Sequence, residues 1–512
     1  MKAPLRLLDG VGARLGNPAI LIPCTCEWYS PPGSCERIRN EGELEPQKAQ
    51  KAQETYVLLV PFVVEGNVIK NLRSVITFVS FLAVLPSAAI GQDARAILRD
   101  AAKAMGAEDL KTIQYSGTAS IFAFGQSLKP NTPWPRLTVT TYTREIDFES
   151  SAASTNAPWA QQLDTWITPY GFLKRALTAN DVTLNRRTID GKKYNVVTYT
   201  VEDRYPLNES RENPCGDFWD VTYLVATRGK LRGYINSRNM IEKVETWIDN
   251  PVLGDMLIES AYTAYDDFAG LKFPTRIVQK QGGFPVLDLI VSDVKPNAAV
   301  HIQPPQQGAS AGGSESPVET QRIAEGVFYI KGRQHSVVVE FKDYVAVIEA
   351  PVNEAQSLAV IAETRKLIPN KPIRYLINTH HHFDHLGGIR TYVDEGATIV
   401  THRTNKAFYE KILAMPHTLV RDRLSRSRKK ANIETVADKR VLTDGRRTAE
   451  LYLQKGNPHD DGLIFIYLPN EKILIEAEAY TLAMNVIENI ERLNLRVEWV
   501  LPIHGGDAMK GF

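Results

Sequence analysis

Four histidines and a carboxylate fall within six consecutive residues, His380-His381-His382-Phe383-Asp384-His385. Imidazole nitrogens and carboxylate oxygens at that density are the donor types that hold a divalent metal ion, and such an ion makes water a nucleophile at neutral pH. His381 alternates away from His380 and His382, so it is expected to face structure or solvent. All ten histidines of the 512-residue chain lie at or after His301, and the last cysteine is Cys215. A site near residue 380 is therefore built from nitrogen and oxygen ligands, without thiolate.

The elements around the cluster must present it. Lys371 to Asn378 reads as a short apolar strand opened by Pro372, and Gly387-Gly388 leads into a helix-like run. The histidines are thus placed on a loop at a strand's carboxyl end, where rigid scaffolds present catalytic groups.

The length calls for two or more domains. With 43% hydrophobic and 23% charged residues the composition is globular, and a formal net charge of +1 provides no global field for nucleic acid or acidic lipid. The basic run Arg421 to Lys430 lacks interleaved aromatics and is read as a solvated helix face, so no nucleic-acid partner is expected.

Residues 1–67 read as an upstream extension. Cys24, Cys26 and Cys35 there have no matching second pair that would complete a zinc knuckle. Residues 68–92 have the pattern of a signal peptide: Lys70 and Arg73, an apolar core from Val75 to Leu85, and the small residues Ser87-Ala88-Ala89. On that reading translation starts at Val68 and the mature chain near Ile90 to Asp93. The product is a periplasmic or secreted bacterial protein, with no stable membrane span after signal removal.

Residues 93–302 form the next expected domain. A helix over Ala94 to Met105, closed by Gly106, precedes alternating stretches at 112–124, 136–148, 194–201, 221–227, 240–248, 256–265, 275–280 and 287–294. That pattern predicts an α+β domain dominated by a curved antiparallel sheet. The sheet is loosely similar to the half-barrel of outer-membrane lipoprotein carriers, which would imply a lipophilic concavity; a packed sheet is the plainer reading. The Pro/Gly/Ser-rich stretch 303–317 reads as a flexible linker, leaving 318–512 for the histidine-bearing domain.

In that last domain apolar strands at Val327 to Ile330, Ser336 to Phe341 and Tyr344 to Ile348 precede a helix over Glu354 to Leu367. A second helix then leads to a strand ending at Thr401-His402. The order His380-x-His382-x-Asp384-His385, then Gly456-Asn457-Pro458-His459, the acidic strand Ile473 to Glu478, and Pro502-Ile503-His504-Gly505 resembles the metallo-β-lactamase superfamily over residues 320–512. The resemblance implies an α/β fold, an αββα sandwich with one or two metals at its edge.

It also implies a ligand set. His380, His382 and His459 would hold one metal, and Asp384, His385 and His504 a second, with Glu478 in the place of the family's bridging aspartate. Glu476, two residues earlier, would share a strand face with Glu478 and is the weaker substitute. The implied cofactor is Zn2+, two ions or one, with iron or manganese as other occupants. His402 and His335 are expected to support the ligands or line the rim, while His417 and His301 read as surface residues. Asp460 is expected either to orient His459 or to lie in a solvated loop.

The function implied is hydrolysis of a small-molecule substrate. A zinc-activated hydroxide would cleave an ester, thioester, lactone, lactam or related bond, with Asp384 as ligand and orienting group. Two alternatives are a mononuclear iron enzyme of the same fold that oxidises sulfur, and a binding protein for a lipophilic ligand with a degenerate metal domain. The sequence leaves the substrate and the oligomeric state open.

Overall fold

The computed structural model describes residues 86–150, 152–155, 164–201, 229–300, 302, 317–479 and 481–511. The extension, the apolar core of the signal-like segment, the stretch 221–227, His301 and residues 303–316 lie outside the described residues. Leu82–Phe512 is one compact unit.

The first helix, Pro86–Met105, starts earlier than expected and runs through the small-residue stretch read as a cleavage site. Ala88 and Ala89 are strong helix formers and proline is tolerated in a first turn, so nothing local stops the helix there. Ala94, Leu98, Ala101, Ala102 and Met105 form its buried stripe. Gly106 adopts φ +70° and donates to Lys103 O at 3.2 Å, while Ala107 N reaches Ala102 O at 2.8 Å. These two bonds close the helix in a Schellman motif.

The helix packs on an antiparallel sheet of ten described strands. Its order is Ala152–Thr155, Arg136–Asp147, Thr112–Phe122, Phe284–Pro296, Leu271–Gln281, Gly254–Phe268, Ile241–Asn250, Gly229–Asn236, Lys192–Val201 and Thr183–Ile189. Register shifts at Ser116/Gly117 and Gly117/Ala119 bend the strand Thr112–Phe122. A second helix, Pro169–Thr178, lies on the sheet, with Tyr199 Oη donating to Phe172 O at 3.2 Å. The cavity between them, bounded by Tyr115, Tyr170, Tyr262 and Phe273, holds about 30 Å³.

Residues 319–510 build two further sheets. The first runs Glu319–Ala324, Val327–Lys331, Ser336–Glu340, Val345–Ile348, Ile373–Ile377, Thr398–His402, Ile433–Val436, and is parallel from Val345 onward. The second runs Lys439–Thr443, Thr448–Leu453, Ile464–Leu468, Ile473–Glu476, Trp499–Pro502, Met509–Lys510. Val337, Val339, Ile348 and Ile377 from one sheet meet Ile466, Leu468, Ile475 and Leu501 from the other. The alternate residues Val338, Val347, Leu376 and Ile399 share a core with Val360, Ile361 and Ile389 of the helices Glu354–Leu367 and Ile389–Glu395. Phe465, Leu474 and Val500 pack against Val486 of helix Ala483–Leu493. Strands covered on both faces read as unbroken apolar runs, and the layers are helix, sheet, sheet, helix. Among the described residues no helix is long and apolar enough to cross a membrane.

Candidate metal centre

The strand Ile373–Ile377 ends in Asn378 and Thr379, and the histidine loop follows. Asn378 N bonds Val400 O at 2.9 Å and Ile464 N bonds Thr379 O at 3.0 Å, tying the loop to both sheets. Tyr409 Oη donates to His380 O at 2.9 Å, and Asn378 Nδ2 to His385 O at 2.9 Å. Short helix Phe383–Leu386 then aims Asp384 and His385 back at the loop.

Four overlapping donor groups result among the described residues: Glu349, His380 and His385 form one, His381, His382 and Asp460 another, and the remaining two are the triads expected from the sequence. His380, His382 and His459 each offer a ring nitrogen within 4.8 Å of the others, and a carboxylate oxygen of Asp384 lies equally close to ring nitrogens of His385 and His504. His380 Nε2, His382 Nδ1, His459 Nε2 and His504 Nε2 are buried without a hydrogen-bond partner. Glu478 lies between the triads: its Oε1 is 3.1 Å from His385 Nε2, 3.3 Å from His504 Nδ1, 3.6 Å from His459 Nε2 and 3.8 Å from His380 Nε2. Thr481 Oγ1 donates to the other oxygen, Oε2, at 2.9 Å. Orphaned imidazole nitrogens around buried carboxylates are the donor set that fits divalent cations.

The electrostatics follow from this crowding. Burial, and then the neighbouring imidazoles, hold His380 well below its ordinary value and His382 at about 3, in the neutral form that binds metal. Burial opposes ionisation of Asp384, but His385 and His504 outweigh it and hold the carboxyl well below the usual range. Glu478 is treated alike by His459 and His504. Burial also disfavours a charged His504, yet Glu478 and Asp384 raise it to about 9.

Glu349 escaped sequence reasoning. It sits one residue beyond the strand Val345–Ile348 at φ +75°, fully buried. Its Oε2 takes the Nδ1 side of His385 at 3.2 Å and the hydroxyl of Thr379, which faces His380 Nδ1 at 3.0 Å. One carboxylate thereby turns Nε2 of two histidines toward the site. A charged residue ending a wholly apolar strand was the available signal. Gln334 Nε2 donates to Asp384 Oδ2 at 2.9 Å. Gln126 and Ser127, from the antiparallel-sheet half, also reach the cluster.

Several expectations need correction. Glu478 is not on a strand: the strand ends at Glu476 and a turn carries Glu478, so the two do not share a strand face. Glu476 is fully buried, and burial with the Glu478 charge pushes it to about 8. Of the two orientations expected for His381, the structure has the one toward structure, with Nδ1 paired to Asp460 and Nε2 to Ser127 Oγ at 3.0 Å. Asp460 is fully buried and holds His381, whereas His459 is set by its main chain, whose N–H donates to Asn457 Oδ1 at 2.7 Å. His417 is not a surface residue but is buried 3.9 Å from both Asp249 and Asp422.

His402 and His335 stand apart from the triads. His402 Nδ1 lies 2.9 Å from Thr404 Oγ1. His335 Nε2 bonds Gly506 O at 3.0 Å and its N–H bonds Ile503 O at 2.9 Å, bracing the loop that carries His504.

The model of the metallo-beta-lactamase superfamily matches residues 330–475. A linear primary-alkylsulfatase from a Pseudomonas species is 31% identical over 75 residues, 14% of this chain and 11% of that protein, so the match spans about a tenth of the relative's length. Solved structures similar to 38% of this chain include the DIM-1 metallo-beta-lactamase exposed to ceftazidime (17% identity, TM-score 0.30, 93% of that chain). Others are a metallo-beta-lactamase from Pontibacter korlensis (18%, 0.29, 94%) and the flavodiiron protein from Giardia intestinalis (15%, 0.30, 56%). With helix, sheet, sheet, helix layers and a match to that superfamily's model, residues 330–475 are a segment of the metallo-beta-lactamase fold.

Proposed function

We propose that this chain is a metal-dependent hydrolase that holds two divalent ions, zinc in the first instance, and cleaves an ester, thioester, lactone, lactam or related bond in a small molecule. The observation that carries the reading is the convergence of two complete donor triads on Glu478 Oε1. His380, His382 and His459 would hold one ion, and Asp384, His385 and His504 the other, with Glu478 between them. Ions held there would lower the pKa of water and polarise the bond to be cleaved.

The chain's own residues supply the rest. Asp384 has its Oδ2 3.3 Å from His385 Nε2 and 3.5 Å from His504 Nδ1, and its carboxylate orients the attacking water. Glu349 holds the His380 and His385 rings in one orientation, so binding does not have to order them. The signal-like pattern at 68–92 supports an exported enzyme, which N-terminal sequencing of the secreted product from its native host would test.

The test is a substrate panel run on zinc-, manganese- and iron-loaded protein. It contains ester, thioester, lactone, lactam and phosphodiester compounds, with sulfate esters added because of the alkylsulfatase similarity. Turnover that needs the metal and disappears in His382→Ala supports the reading. Equal turnover in metal-free protein overturns it, and oxygen consumption by an iron form without hydrolysis would replace it with sulfur oxidation.

A further inference from the structure

The loop joining the strands Thr112–Phe122 and Arg136–Asp147 belongs to the antiparallel-sheet half, yet it enters the metal centre. Gln126 Nε2 donates to Asp384 Oδ1 at 2.8 Å, opposite the Gln334 bond to Oδ2. Ser127 O lies 3.0 Å from His382 Nε2. A carbonyl oxygen can only accept, so the proton of His382 sits on Nε2 and the lone pair on Nδ1. Nδ1 is the nitrogen left without a partner. Gln126 and Ser127 are both buried, at 7% and 4% exposure.

The loop is docked at fixed depth. Phe124 meets Phe383 edge-on with ring centroids 5.3 Å apart, and Trp134 packs on Phe124 at 4.7 Å. Asp461 N donates to Leu128 O at 2.9 Å, and Lys129 pairs with Asp461 at 2.9 Å. Gly125 has φ +75°, and a Cβ there would lie 2.5 Å from Cγ of Phe383. Such close seating carries the amide and the carbonyl to their partners without slack.

We infer that the antiparallel-sheet half is part of the metal centre: Gln126 and Ser127 are positioning residues that fix Asp384 and His382 in their ligating geometry, so the superfamily segment alone is an incomplete site. The inference rests on the two-ion reading above. Partners that orient a ligand change metal affinity by about 10- to 100-fold when removed. Gln126 donates to Asp384, a residue of the second triad, so its loss acts on the second ion.

The experiment is a cobalt(II) titration of the full chain, followed by its visible absorption and by competition with a chelator. Gln126→Met keeps the side-chain length and removes the donor, and Gln334→Met is its counterpart within the sandwich. Both variants are expected to weaken the second equivalent of cobalt about 10- to 100-fold and to shift its absorption bands, with the first equivalent and the melting temperature unchanged. Weakening by Gln334→Met but not by Gln126→Met would overturn the inference, as would a Gln126→Met effect spread over both equivalents together with a lowered melting temperature. Failure of the unaltered protein to bind cobalt would instead overturn the metal reading itself.

Discussion

Oε1 of Glu478 stands 3.1 Å from Nε2 of His385, inside a ring of imidazoles that includes His459 and His504. The strand stops at Glu476, and a turn sets the backbone of Glu478. Unaltered protein is expected to carry two divalent ions per chain by elemental analysis. Glu478→Gln is expected to lose the second by about 100-fold or more in affinity, beyond the effect of an outer partner. A firm one-to-one ratio in the unaltered protein would sink the dinuclear arrangement.

His382→Ala removes one of three nitrogens from the first triad. Hydrolysis is expected to fall about 1,000-fold or more, equivalent to about 4 kcal/mol of barrier. The circular dichroism spectrum should not change. Removing metal from the unaltered protein with a chelator should reproduce the loss, and zinc should restore activity to that protein but not to the variant. Restoration in both would remove His382 from the site.

Gly387 lies where the histidine helix crosses the chain at Val352, and a Cβ there would fall 1.8 Å from Val352 O. Backbone cannot swing aside as a side chain does. Gly387→Ala is therefore expected to cost about 3 kcal/mol in urea unfolding, and to disturb metal binding because Val352 N also bonds Asp384 O at 2.9 Å. A variant as stable as the parent would refute this role for Gly387.

Away from the site, Asp249 is raised from 3.8 to about 7 by burial, with the Asp255 and Asp422 charges adding to it. A carboxyl raised in the folded state contributes stability below its unfolded value, and that contribution is lost as pH climbs through about 7. Asp249→Asn should therefore match the parent near pH 4 and exceed it at pH 8 by about 1–2 kcal/mol. His417 acts in the opposite sense: burial, then Arg390, lower it from 6.5 to about 4, so its contribution is present above 6.5 and lost as pH falls through about 4. It remains in both proteins but lies 3.9 Å from Asp249, so the difference between their unfolding curves reports Asp249 together with its coupling to His417. A constant difference across the pH range would refute this assignment.

Much of the sandwich was legible because local physics dictated it. Helix Glu354–Leu367 spans the stretch whose pattern marked it, with Asn353 capping Gln356 N at 3.0 Å. The buried strands announced themselves as apolar runs. Strands Thr183–Ile189 and Gly229–Asn236 went unread. Thr183–Ile189 carries Asn185, Arg186 and Arg187 at the sheet edge, where side chains meet water and leave little hydrophobic period.

By itself the sequence determined the donor inventory: which imidazoles and carboxylates exist, that no thiolate follows Cys215, and that the His380 to His385 cluster follows a strand. Tertiary structure decided which atoms face one another. It put Glu478 in a turn, buried His417, and made Glu349 the partner that orients two rings. It also carried Gln126 and Ser127 across from another sheet. Hydrogen bonds and metal ligation act over about 3 Å. Residue types are fixed along the chain, but contacts at that range between distant positions exist only once the layers have packed.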